Sequence, residues 1–290
     1  MQALHLLFLA LISRLDLAGA LPGTNEPRQA TNGPRPGTII WVCTGNQDPK
    51  LDIPEVCTNM CYGAYCRGYG TSLTWDKYAG NSKGTRAKNA GCGDNNHCAT
   101  DPPVKGQKFQ CDEYPFGSTK DADRTDKKPV NRCVPASQNS RQGAKLQQLF
   151  NSQGSWKNGL GLNGKPPAQF QQTFSNAGKL RYCGGPSVDC TNDGLQYDRD
   201  GKIPGGKKKR EVPAPQKTYR LAGGEHITVP EDFEIGHPVL LPRVHNSTLF
   251  VEQSENHQED ENAGLEQYDY MTHNLYYDED HVVEFMGLSI

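Results

Sequence analysis

Histidine is nearly absent from the part of the chain that carries the cysteines. Of eight histidines, His5 lies in the first apolar run. His226, His237, His245, His257, His273 and His281 all follow Cys190, which leaves His97 alone in between. A histidine-based hydrolase would have to use His97. Its place in a polar loop between cysteines (Gly93-Asp94-Asn95-Asn96-His97-Cys98) speaks against that role. No internal run is apolar enough to span a bilayer, which excludes a helical membrane anchor. Zinc spacing is missing too. Cys57-x3-Cys61-x4-Cys66 and Cys92-x5-Cys98 do not match the usual ligand patterns.

Ten cysteines are present: Cys43, Cys57, Cys61, Cys66, Cys92, Cys98, Cys111, Cys133, Cys183 and Cys190. Their even number predicts five disulfides in an exported chain, with the pairing open. The N-terminus agrees. Leu4–Ile12 is apolar but too short for a span, and Ala18-Gly19-Ala20 offers a small-residue cleavage site after Ala20. This reads as a signal peptide over 1–20 and a secreted, extracellular protein.

Charge divides the chain. Residues 211–290 hold sixteen Asp/Glu and three Lys/Arg, a net of −13; the whole chain is −2, so residues 1–210 carry +11. The bodies of opposite sign are joined by Gly201–Arg210 (GKIPGGKKKR), a basic linker with a cut site for a dibasic-directed protease after Arg210. The expected organisation is a disordered leader over 21–37, a disulfide-rich domain over 38–192, a linker over 193–210 and an acidic tail or pro-segment over 211–290. Acids interleaved with aromatics in that tail (Tyr268–Tyr270, Tyr276–Asp280) mimic nucleic acid, which suggests an intramolecular inhibitor. Asn246-Ser247-Thr248 is a glycosylation sequon within it.

The fold class read from these signals is α+β: a small disulfide-stapled antiparallel sheet with packed helices, plus a largely irregular acidic C-terminal tail. Thr38–Cys43 reads as a first strand, Pro54–Cys66 as a helix begun by Pro, and Gly80–Asn96 as a polar loop. Gln107–Cys111 and Asn131–Pro135 read as short strands, and Ser137–Phe150 as a helix capped by Ser137 or Asn139. Lys179–Cys183 reads as a last strand.

Cys111–Thr119 (CDEYPFGST) places two carboxylates, Asp112 and Glu113, between a cysteine and a Tyr-Pro turn. Adjacent acids repel, and Pro115 blocks a helix that would spread them. Around them gather Lys105, Lys108, Lys120, Arg124, Lys127, Lys128, Arg132, Arg141 and Lys145. Carboxylates inside a basic field suit phosphodiester hydrolysis: cations hold the backbone while acids hold a metal or deprotonate water.

Two blocks carry a resemblance. Asp112-Glu113-Tyr114-Pro115, followed by Arg132, Val134, Ser137, Asn139 and Gly143, resembles the NucA/NucB family of secreted deoxyribonucleases over roughly 107–153. The resemblance implies an α+β nuclease unit, a divalent metal (Mg²⁺ or Mn²⁺) and Asp112 as the leading catalytic carboxylate. Family members carry Gln or Glu about ten residues after the Asn. That position is Leu149 here, so the role falls on nearby Gln148. The extra cysteines and the acidic tail suggest a larger eukaryotic, fungal elaboration. The expected site has Asp112 activating water or binding metal, with Glu113 and Asn139 completing the metal shell. Ser137 belongs to the same constellation, and Arg132, Arg141 and Lys145 hold the phosphate. The expected activity is metal-dependent, sequence-nonspecific cleavage of DNA, or of RNA, by a monomer. The alternative is a non-catalytic cationic protein or toxin that binds anionic polymers.

Overall fold

The computed structural model describes residues 38–46, 49–76, 80–150, 168–204, 215–244 and 275–289. The signal peptide and Ala20, the leader, Arg210 and Asn246 lie outside these residues.

Thr38–Val42 forms strand β1, and its run of β-branched and aromatic residues suits a strand buried on both faces. Alternation sends Ile39 and Trp41 into one core cluster and Ile40 into a second, each wholly buried. Helix α1 (Pro54–Cys61) starts with Pro in its first turn and continues into a π-helical stretch, Tyr62–Cys66. There follow β2 (Ser72–Trp75), α2 (Gly80–Asn89), α3 (His97–Thr100), β3 (Phe109–Tyr114), β4 (Val130–Pro135), α4 (Ala136–Phe150) and β5 (Ala168–Ser175). A small hairpin, β6 (Tyr197–Asp198) and β7 (Gly201–Lys202), leads to β8 (Gln216–Leu221), β9 (His226–Val229), β10 (Pro238–Val244) and β11 (Leu275–Ser289).

The strands make two sheets. β3-β4-β6-β7 is antiparallel throughout. It is the expected small stapled sheet: Cys92–Cys111 and Cys98–Cys133 fasten the α2–α3 segment to it. Cys111 and Cys133 face each other in register, yet each bonds outside the hairpin. Cys43–Cys57 ties β1 to α1, and Cys61–Cys183 and Cys66–Cys190 tie α1 and its extension to the 180–190 loops. No described cysteine is free. α1 and α4 pack together on one face of the β3–β4 hairpin.

The second sheet runs β2-β5-β1-β10-β11-β8-β9. β1 is parallel to both neighbours, β5 and β10. The acid-rich segment is therefore less irregular than its composition suggests: it supplies four strands of this sheet. Short alternating stretches such as His226-Ile227-Thr228-Val229 bury Ile227 and Val229. Tyr219, Leu221, Ile227, Val229, Val239, Leu241 and Val282 join Ile40 in the second core cluster.

Two local readings need correction. Residues 80–89 are helical because Arg86 turns inward, its Nη2 2.7 Å from Asp76 and its Nε 2.8 Å from Asp123. Lys179–Cys183 is a turn: Tyr182 has φ 71°, and its hydroxyl donates to the Thr191 carbonyl and accepts from the Asp193 N–H.

Candidate functional site

Asp112 and Arg132 are register partners on β3 and β4, so both point to the face covered by α1 and α4. The helices answer with residues four apart, on one helical face each. From α1, the Asn59 amide donates to the Asp112 carboxyl Oδ2 at 2.9 Å and to its carbonyl at 2.8 Å. Glu55 accepts from Arg132 Nε at 2.8 Å and Nη2 at 2.7 Å. From α4, Gln138 accepts the Glu55 N–H, and the buried Gln142 amide lies near Asp112, its Nε2 without a hydrogen-bond partner. Asp193 closes the ring by accepting from Arg132 Nη1 at 2.8 Å.

The inner members are shielded from water: Asn59 is 0% exposed, Asp112 2%, Arg132 4% and Gln142 4%. Glu55 and Gln138 form the open rim. Burial pushes the Asp112 carboxyl up to about 8. The Asn59 hydrogen bond and the nearby Gln142 amide pull it down, and nearby Glu113 adds to the rise.

Glu113 does not join Asp112. The strand pleat turns it to the opposite face, where it accepts from the Gly117 N–H. Asn139 stands at the end of the hairpin, donating to Gln110. Helix α4 begins at Ala136, directly after β4, so Ser137 and Asn139 sit within its first turns and not at a cap. The Gln148 side chain lies outside the described residues. Arg141 and Lys145 turn inward too, 8% and 3% exposed, toward the loop that follows β1. Arg141 donates to the Asp52 carbonyl, and the Lys145 ammonium stands 5.9 Å from the Trp41 ring centre. His97 stacks on Tyr197; its neighbours Cys98 and Cys133 share a disulfide and offer no thiolate for a metal.

Sequence reading missed Asn59, Gln142, Glu55 and Asp193. A signal existed for Asn59: it is a carboxamide between two cysteines of a helix whose other central positions are apolar or small.

Residues 60–159 match the family model described as Deoxyribonuclease NucA/NucB. No curated protein and no solved structure matches. The NucA/NucB match spans Asp112, Arg132 and Gln142, while Asn59 and Glu55 lie just before it and Asp193 beyond it. The match supports nuclease activity in general. The donors at the centre also fit a divalent ion. Asn59 Oδ1 is buried with no hydrogen-bond partner, and it stands in a cluster whose other oxygens come from a carboxylate and a carboxamide. Oxygen-only donors suit Mg²⁺ or Mn²⁺ rather than zinc.

Proposed function

We propose that the protein is a secreted, metal-dependent endonuclease that hydrolyses DNA phosphodiester bonds without sequence specificity. One observation carries the reading. Within the segment matching NucA/NucB, a buried carboxylate meets two buried carboxamides beside an arginine, and one carboxamide oxygen lacks a partner.

Asp112, Asn59 and Gln142 would hold the ion, in place of the expected Asp112, Glu113 and Asn139. A bound divalent ion would neutralise charge on the phosphate and make water more acidic. The chain's own groups do the remainder. Asp112 anchors the site through β3, and Asn59 holds it with one hydrogen bond to the carboxyl Oδ2 and one to the backbone carbonyl. Arg132, held by Glu55 and Asp193, keeps positive charge beside Asp112. Five disulfides suit an oxidising, extracellular setting, and among the described residues no helix is long and apolar enough to cross a membrane. The pairing of β10 with β1 and β11 favours residues 215–244 and 275–289 as part of the folded enzyme over a removable inhibitor.

The burial of Asp112 favours one second reading, a cationic polyanion-binding protein that does not cleave. Supercoiled plasmid incubated with the full chain in Mg²⁺ or Mn²⁺ separates the two. Metal-dependent nicking that disappears in EDTA and in Asp112→Asn establishes the nuclease. Binding without nicking in either metal, or nicking that survives Asp112→Asn, sinks it.

A further inference from the structure

The cations expected to hold phosphate are mostly interior, yet a second set stands together on the surface. Three loops meet beyond the start of β4. The first follows the π-helical stretch and carries Arg67. The second precedes β4 and carries Arg124, Lys127 and Lys128. The third is the β6–β7 hairpin with Arg199 and Lys202. The loops are tied to one another: Arg67 donates to the Lys128 carbonyl, Lys127 to the Gly68 carbonyl, and Lys128 pairs with Asp200.

Tyr69 is the floor of this patch. It is 4% exposed, and Arg124 and Lys127 both lie over its ring, 5.7 and 5.8 Å from the centre. Cation–π contact orients the two charges, but holds like charges side by side. Among the described residues three carboxylates, Asp126, Asp198 and Asp200, pair with cations among these six. Side-chain exposure is 54% for Lys128 and 60% for Arg199, and 59% and 55% for Asp126 and Asp200. Pairs this exposed contribute about 0–1 kcal/mol, so an incoming phosphate displaces them readily.

The patch is continuous with the Asp112 site. Residues 193–202 run beside β4, touching Arg132 through Asp193 and Lys128 through Asp200. Lys128 precedes Arg132 by no more than about 14 Å of chain. A DNA strand advances about 3.4 Å per phosphate along its axis, so roughly four phosphates cover that interval.

We propose that Arg67, Arg124, Lys127, Lys128, Arg199 and Lys202 form a track for the phosphate backbone of duplex DNA, leading to Asp112. The proposal rests on DNA as the substrate. It names the surface that binds it, and it excludes Arg141 and Lys145 from that surface. The track reads charge alone and gives no base preference.

The test is anisotropy of a labelled 20-bp duplex with the full chain in EDTA, across a series of salt concentrations. Lys127→Gln/Lys128→Gln/Arg199→Gln is compared with Lys105→Gln/Lys108→Gln/Lys120→Gln, which removes the same charge from exposed positions elsewhere. The track variant is expected to bind about tenfold or more weakly at low salt. Its log–log salt slope is expected to fall by about 2 to 3, while the control keeps the wild-type slope. Equal slopes in both variants, or an unchanged track variant, overturn the track. If near-UV circular dichroism shows the triple variant misfolded, Lys128→Gln/Arg199→Gln retains the Lys127 contact and must lower the slope by about 2. Plasmid nicking is scored separately. A wild type that binds as described without cutting loses the nuclease reading and keeps the track; one that cuts with equal slopes loses only the track.

Discussion

Replacing Lys145 by Met should stabilise the protein and leave cleavage intact. The side chain is 3% exposed on α4, beside the Trp41 ring. Burial depresses its ammonium from 10.5 to about 8; Arg141 pushes the same way, and Asp52 opposes. The folded pKa lies below the unfolded one, so between pH 8 and 10.5 the unfolded chain binds more protons than the folded chain. Stability therefore rises with pH through that window, and the penalty is fully present below it. A depression of this size is worth about 3 kcal/mol at pH 7 and about 1.5 kcal/mol at pH 9.5. Met keeps most of the apolar length and removes the charge. Lys145→Met should gain up to about 3 kcal/mol at pH 7, less the lost attraction to Asp52, and about half that at pH 9.5. Urea unfolding at both pH values, with disulfides intact and EDTA present, measures the gain. Plasmid nicking by the variant should stay within about twofold of wild type. A destabilised variant with the same offset at both pH values would refute the buried-charge argument. A loss of about a hundredfold in nicking would return Lys145 to the phosphate.

Other perturbations address the site and its supports. Asn59→Ala strips Asp112 of two donated hydrogen bonds and should cost about 1–3 kcal/mol in urea unfolding; nicking should fall at least about tenfold. Arg132→Ala leaves Glu55 and Asp193 facing each other without their cation and should cost about 3 kcal/mol, read by the same unfolding assay. A Cβ on Gly63 would stand 2.3 Å from Tyr114 Cδ1, so Gly63→Ala should lose about 1–3 kcal/mol and lower the melting temperature. Ending the chain after Arg210 removes β8–β11, and should yield a product that binds a hydrophobic dye and lacks near-UV dichroism.

The local pattern in the sequence located β1, α1, the β3–β4 hairpin and α4 to within a few residues, because each is marked by its own Pro, cysteine or β-branched run. It also marked Asp112 and Arg132, whose partnership across the hairpin follows from strand pairing. The remaining site could not be read locally. Asn59 and Glu55 reach Asp112 and Arg132 only because α1 packs on the hairpin, and Asp193 arrives from sixty residues further along. Adjacent acids invited a joint role for Asp112 and Glu113, which the two-residue period of a strand forbids.

Charge composition is limited for a different reason. Sixteen acids in the last eighty residues argue for an appendage, yet composition does not record where the acids stand. In β8 and β9 the apolar residues alternate inward, and Glu284 sits outward, paired with Arg220. Without those strands β1 would become an edge, its backbone groups open to pairing with another chain. Ile40 would lose every fully buried neighbour in its cluster, since all of them come from the acidic segment. Net charge thus says little about whether a segment belongs to the core; the positions of a few apolar residues decide it.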